Sequence, residues 1–149
     1  ELGGPGVGAV GMCLTGGFAL ALMLDECMIA PVLSQPSLPL PVSGSRQRDL
    51  GISDDDLRIV KERVEAGVCV LGMRFTEDPA SPSQRFERLR DELGDGFIGI
   101  EIDSSKGNPY GNGKMAHSVL TTDLVDEEGH PTREALDQVM ELFRDRLLA

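Results

Sequence analysis

The feature that most restricts the fold is a set of four short apolar segments: Val7–Met12, residues 28–33, residues 68–75 and Phe97–Ile102. Val7–Met12 reads VGAVGM, apolar without alternation, as expected of a parallel strand covered on both faces. Residues 14–24 are apolar or small at nearly every position, which after a glycine-flanked turn predicts a buried helix. Ser53 reads as an N-cap followed by Asp54, Asp55 and Asp56, where acidic groups suit the helix dipole. Leu57, Val60 and Val64 share one face of that helix, which should end near Gly67. The aspartate triplet lacks the spaced ligands and the glycine of a calcium loop. Ser81-Pro82 predicts another helix with proline at its first position, carrying Phe86, Leu89 and Leu93 at helical spacing. From Pro131 onward Leu136, Val139, Phe143 and Leu147 mark a final amphipathic helix. Strand and helix thus alternate along the chain. The pattern predicts an α/β fold of about four strands in a parallel sheet with helices on both faces. Residues 34–51, with Pro36, Pro39 and Pro41, and the glycine-rich residues 104–116 read as loops.

The 149 residues, 40% of them hydrophobic, suffice for one sizeable core, so a single domain is expected. With 25 acidic against 14 basic residues the formal charge is −11, which repels nucleic acid and anionic membrane surfaces in the absence of a basic cluster. No apolar run approaches the roughly 20 residues that span a bilayer, and no signal-peptide pattern precedes one. A soluble, cytoplasmic chain is expected. Cys13, Cys27 and Cys69 lack C-x-x-C pairing and are odd in number, which predicts reduced thiols.

In an α/β sheet, reactive groups collect at the carboxyl ends of the strands. Cys13 directly follows the first strand, in Gly11-Met12-Cys13-Leu14-Thr15-Gly16-Gly17. Such a turn projects a nucleophile into the crevice, with the next backbone N–H and the helix N-terminus stabilising negative charge. Gly11 meets the need for a small residue two positions before it; Thr15, two positions after, fits less well. The alternative is a buried cysteine acting as a small hydrophobe. The loop after the third strand, FTEDPASP, offers carboxylates to orient a histidine, or only solvated and capping groups. His117 lies after the fourth strand; His130 immediately precedes Pro131 and reads as a residue that opens the last helix. Nucleophile, acid and histidine thus come in this order along the chain, as in α/β-hydrolases. GNPYGNGKM departs from a phosphate loop at Asn108 and at Met115. Glutamine amidotransferases also use an elbow cysteine, but their histidine and glutamate spaced two apart are absent at both His117 and His130.

Taken together, the sequence resembles the dienelactone hydrolase family over essentially its whole length. GMCLTGG is similar to the family's cysteine elbow at Gly11, Cys13, Leu14 and Gly16, FTEDPASP to its acid loop with the acid at Asp78, and AHSV to its histidine loop at His117. Thr15 stands where the family usually has glycine, as does Ala116 before the histidine. The resemblance implies an ester or lactone hydrolase with Cys13, His117 and Asp78 as catalytic residues and the Leu14 backbone N–H as an oxyanion donor. It implies a small-molecule substrate and no cofactor or metal. It also makes the first strand here the fifth of eight, so that N-terminal strands bearing the second oxyanion donor lie outside this sequence. Self-association through the exposed strand edge is a further expectation. The competing reading is a non-catalytic fragment or binding protein that keeps the elbow for packing. Tyr110 and the proline-rich loop are candidate lining of the substrate pocket.

Overall fold

A computed structural model describes residues 3–148. Strands β1 (Val7–Met12), β2 (Met28–Ser34), β3 (Val70–Phe75) and β4 (Phe97–Ile102) form one sheet in the order β1-β2-β3-β4 with every neighbouring pair parallel. The helices are α1 (Phe18–Ala21), α2 (Gly44–Arg48), α3 (Asp54–Glu65), α4 (Ser83–Leu93) and α5 (Pro131–Leu147). Pro31 sits inside β2, and pairing of β2 with β3 begins only at the next residue, Val32. A residue without an N–H cannot donate to a ladder.

Successive residues of a strand face opposite sides of the sheet, and two apolar clusters result. On one side Leu33 and Val70 pack with Leu20 of α1, Leu57 and Val60 of α3, and Phe86 and Leu89 of α4. On the other, Val32, Leu71, Met73 and Phe75 meet Ala135 and Val139 of α5 and Val119 of the preceding loop. Each of these valine, leucine, methionine and phenylalanine side chains, fully buried, contributes roughly 1.5–3 kcal/mol. Gly8 lets α5 lie close to β1: a Cβ there would stand 2.7 Å from the Phe143 ring.

The structure corrects four expectations. Residues 14–24 do not form one buried helix; they break into a 3-10 turn at Cys13–Thr15, the single turn of α1, and a second 3-10 turn at Leu22–Leu24. Of the segment's hydrophobic residues only Ala19, Leu20 and Met23 are buried, while Leu14, Phe18, Leu22 and Leu24 are exposed. The third strand begins at Val70, two residues later than expected. Pro82 is the N-cap of α4 rather than its first helical residue, and the buried Ser81 hydroxyl has no partner. Residues 34–51 contain α2, capped by Ser43, whose hydroxyl accepts from Arg46 N. Elsewhere the start signals act as expected. Ser53 and Asp56 form a capping box on α3, and the His130 side chain accepts the Thr132 N–H at the start of α5. The edge strand β1 leaves Val7, Val10 and Met12 exposed. Among the described residues no helix is long and apolar enough to cross a membrane.

The proline-rich loop is held by a buried charge. Arg85, 1% exposed on α4, donates to four carbonyls of that loop: Pro36 at 2.6 Å, Pro39 at 2.6 Å, Asp49 at 2.7 Å and Arg46 at 3.1 Å. A planar guanidinium suits this task because its five N–H groups point in fixed, separate directions.

Candidate active site

Cys13 begins the turn that ends β1 and has φ of 54°, a left-handed conformation that costs a non-glycine residue free energy. Close packing makes the turn possible. A Cβ on Gly11 would lie 2.3 Å from the Thr15 carbonyl oxygen, and one on Gly16 would lie 2.4 Å from Pro36 Cα. Thr15, which fits the expected pattern poorly, is accommodated because its side chain turns outward and ties the turn. Its hydroxyl accepts from Met12 N at 3.1 Å and donates to Met12 O at 2.9 Å. The small residue needed on the far side is Gly16, against the segment leaving β2.

Asp78 lies beyond β3 on a loop tied down from several directions. Arg74, itself buried, donates to the carbonyls of Ser81 at 2.6 Å and Thr76 at 2.9 Å and pairs with Glu101 at 3.0 Å. Ser104 joins the same loop to the end of β4, accepting from Glu77 N and donating its own N–H to Thr76 Oγ1, both at 3.0 Å. The Asp78 carboxylate is 4% exposed. Its Oδ1 accepts the Ala80 N–H at 2.9 Å, and its Oδ2 meets His117 Nδ1 at 2.6 Å.

His117 is set by its backbone as well as its ring. Asp123 Oδ2 accepts the N–H groups of His117 at 2.9 Å and Ser118 at 2.8 Å. With Nδ1 engaged by Asp78, Nε2 is left for the sulfur of Cys13. Hydrogen bonding to His117 is the largest influence on that thiol and lowers its pKa; partial burial opposes this, and the Ser37 side chain, the His117 charge and the Leu14 N–H lower it further. Burial acts first on His117 and disfavours its charged form, but hydrogen bonds and charge from Cys13 and Asp78 outweigh it and raise the imidazole pKa. Thiol lowered and imidazole raised favour a thiolate beside an imidazolium. The helix dipole expected from sequence has little part in this, because a four-residue α1 supplies few aligned peptide dipoles.

The structure therefore brings Cys13, Asp78 and His117 together at the carboxyl end of the sheet. It places the other candidates elsewhere. His130 is buried, bonds Thr132 Oγ1 at 2.7 Å and caps α5. Tyr110 packs edge-on against that imidazole, with ring centroids 5.8 Å apart. The GNPYGNGKM segment is an internally bonded loop in which Asn108 binds the backbone of Ser105, Tyr110 and Asn112. Part of the proline-rich loop lines an apolar hollow of about 410 Å³, between Leu38, Pro39 and Leu40 on one side and Gly17 and Phe18 on the other. Among the described residues, no group of three or more His, Cys, Asp and Glu side chains is placed to hold a metal ion.

Sequence reading missed Ser37, Asp123, Arg74 and Arg85. Arg85 carried a signal: it lies four residues before Leu89, on the buried stripe of its helix, where a charge calls for partners. Ser37 and Asp123 carried none, being ordinary polar residues of loops.

The three thiols should separate on alkylation. Cys27 is exposed but raised in pKa by hydrogen bonding to Asp25, and Cys69 is raised by burial. Access alone favours Cys27; ionisation favours Cys13. Peptide mass spectrometry after brief iodoacetamide treatment at neutral pH should find Cys13 labelled first. Labelling led by Cys27 would show that Cys13 is an ordinary thiol.

Comparison with protein-family models, curated proteins and solved structures finds no match to this chain. Its fold and site define it as a small α/β domain with a four-stranded parallel sheet, with a hydrogen-bonded Asp78–His117 pair at the sheet's carboxyl end and Cys13 close enough for the histidine to lower its pKa.

Proposed function

We propose that this chain is a thiol hydrolase of carboxylic esters or lactones, of the dienelactone hydrolase type. The observation that carries the reading is the left-handed elbow at Cys13 joined to an Asp78–His117 pair whose remaining ring nitrogen is free for the sulfur. In the reaction, the Cys13 proton passes to His117 Nε2 and the sulfur attacks the carbonyl carbon. The carbonyl oxygen becomes an oxyanion that accepts the Leu14 N–H. Collapse breaks the ester C–O bond, the leaving alkoxide takes the proton from His117, and a thioester remains on Cys13. Water then gives a proton to His117 and attacks the thioester. The acid departs and the thiolate is restored beside the imidazolium. Asp78 stays ionised, keeps the imidazole in the required tautomer and stabilises it when charged.

The test is to trap the thioester. After incubation with p-nitrophenyl acetate and an acid quench, one acetyl group should appear on the peptide that contains Cys13, and none on that peptide in Cys13→Ala. Acetylation spread over surface lysines with Cys13 unmodified would overturn the reading.

A further inference from the structure

Among the described residues only two that are not glycine have positive φ, Cys13 at 54° and Gln35 at 36°. Strained residues of this kind persist where surrounding structure over-determines them, and they gather at functional sites. The segment that carries Gln35 is tied to the Cys13 turn through the backbone: Ser37, two residues beyond Gln35, donates its N–H to the Cys13 carbonyl at 3.0 Å. Gln35 N in turn donates to Met73 O of β3 at 2.7 Å. Pro36, between them, is the residue that Gly16 must be small to meet. The segment leaving β2 is thus clamped onto the elbow. It is also polar and buried, with Ser34, Gln35 and Ser37 all at most 2% exposed. Ser37 Oγ lies 3.0 Å from the Gln35 carbonyl, to which it donates.

A hydroxyl has one proton to give. In the structure Ser37 gives that proton to the Gln35 carbonyl, while its backbone N–H, bonded to the Cys13 carbonyl at 3.0 Å, keeps the residue beside the nucleophile, whose thiol pKa the Ser37 side chain lowers. A charged acceptor binds a donor more strongly than a neutral one.

We propose that Ser37 is a positioning residue for the nucleophile, its hydroxyl donating to the Gln35 carbonyl while Cys13 is a thiol and turning that proton to the sulfur when Cys13 ionises. No proton changes owner at Ser37. The Cys13 proton goes to His117, and the Ser37 O–H rotates about its C–O bond to give the thiolate a second donor. The sulfur is thereby held between His117 and Ser37 and aimed along one direction. The inference rests on Cys13 being the nucleophile. His117 is the titratable group acting on that thiol; the remaining influences are partial burial, the Ser37 hydroxyl and the Leu14 amide.

The experiment is the pH profile of iodoacetamide alkylation at Cys13, read by peptide mass spectrometry in the full chain, for wild type, Ser37→Ala and Ser37→Thr. Removing the hydroxyl should move the Cys13 profile to higher pH and slow labelling on its acidic limb roughly tenfold. Ser37→Thr, which keeps the hydroxyl, should restore the wild-type profile. Should the alanine variant fail to fold, Ser37→Val against Ser37→Thr gives two side chains of one shape that differ in the hydroxyl. Superposable profiles with and without the hydroxyl would overturn the proposal. A wild-type Cys13 profile no lower than those of Cys27 and Cys69 would instead overturn the nucleophile itself, so the two failures are distinct.

Discussion

Asp78→Asn should reduce hydrolysis of an activated ester by about 10³- to 10⁴-fold while leaving the fold intact. The reason is local. Asp78 Oδ1 accepts the Ala80 N–H and Oδ2 faces His117 Nδ1. An asparagine must keep its carbonyl oxygen on Ala80, which turns its NH₂ toward the imidazole. Nδ1 then becomes an acceptor, the ring proton moves to Nε2, and the nitrogen facing the sulfur can no longer take a proton. Without its carboxylate partner the imidazolium is also less stable, so Cys13 loses the neighbour that lowers its pKa most. The kinetic loss should therefore appear together with slower alkylation of Cys13 at neutral pH and an unchanged circular dichroism spectrum. Ester turnover within a few-fold of wild type would remove Asp78 from the mechanism.

The largest effect on stability should come from Arg85→Met. Methionine fills much of the volume but leaves the carbonyls of Pro36, Pro39, Arg46 and Asp49 without their donor. Unpaired buried acceptors cost about 1–3 kcal/mol each, less where water can enter as the loop opens. A net loss of about 3 kcal/mol or more is expected, seen in urea unfolding as a lower midpoint. Arg85→Lys should recover only part of it, since one ammonium cannot reach four carbonyls spread over the loop. Because Pro36 leads directly into Ser37, the methionine variant should also slow alkylation of Cys13 at neutral pH, although Arg85 bonds no atom of that residue. A melt indistinguishable from wild type would show that the loop holds its shape without the guanidinium.

The parts legible in the sequence share a physical cause: local signals whose meaning does not depend on distant residues. VGAVGM is apolar without the alternation of a half-exposed strand, and it forms β1 over the expected residues, although at the sheet edge it leaves Val7, Val10 and Met12 exposed instead of being covered on both faces. Ser53 with Asp56, and His130 before Pro131, are start signals written within a few positions, and both act as caps. The same holds at the elbow, where Gly11 is required by a contact with Thr15 only four residues away. Chain order suffices to place Cys13, Asp78 and His117 because each lies beyond the end of a strand, and parallel strands deliver their trailing loops to one end of the sheet.

What only the tertiary structure decided depends on pairs far apart in the chain. Residues 14–24 carry enough apolar character for a buried helix, yet one face of the segment meets no covering layer among the described residues and it breaks into short turns. The glycine tolerance expected at Thr15 belongs to Gly16, because the neighbour that sets it is Pro36. Ser37 and Asp123 have no periodicity or motif to mark them. They acquire their places when β1 and β2 lie side by side and when the loop after β4 folds back on His117. Hydrophobic pattern is summed over many residues and survives reading one segment at a time, whereas a hydrogen bond between two loops exists only at a distance and angle that the assembled sheet alone supplies.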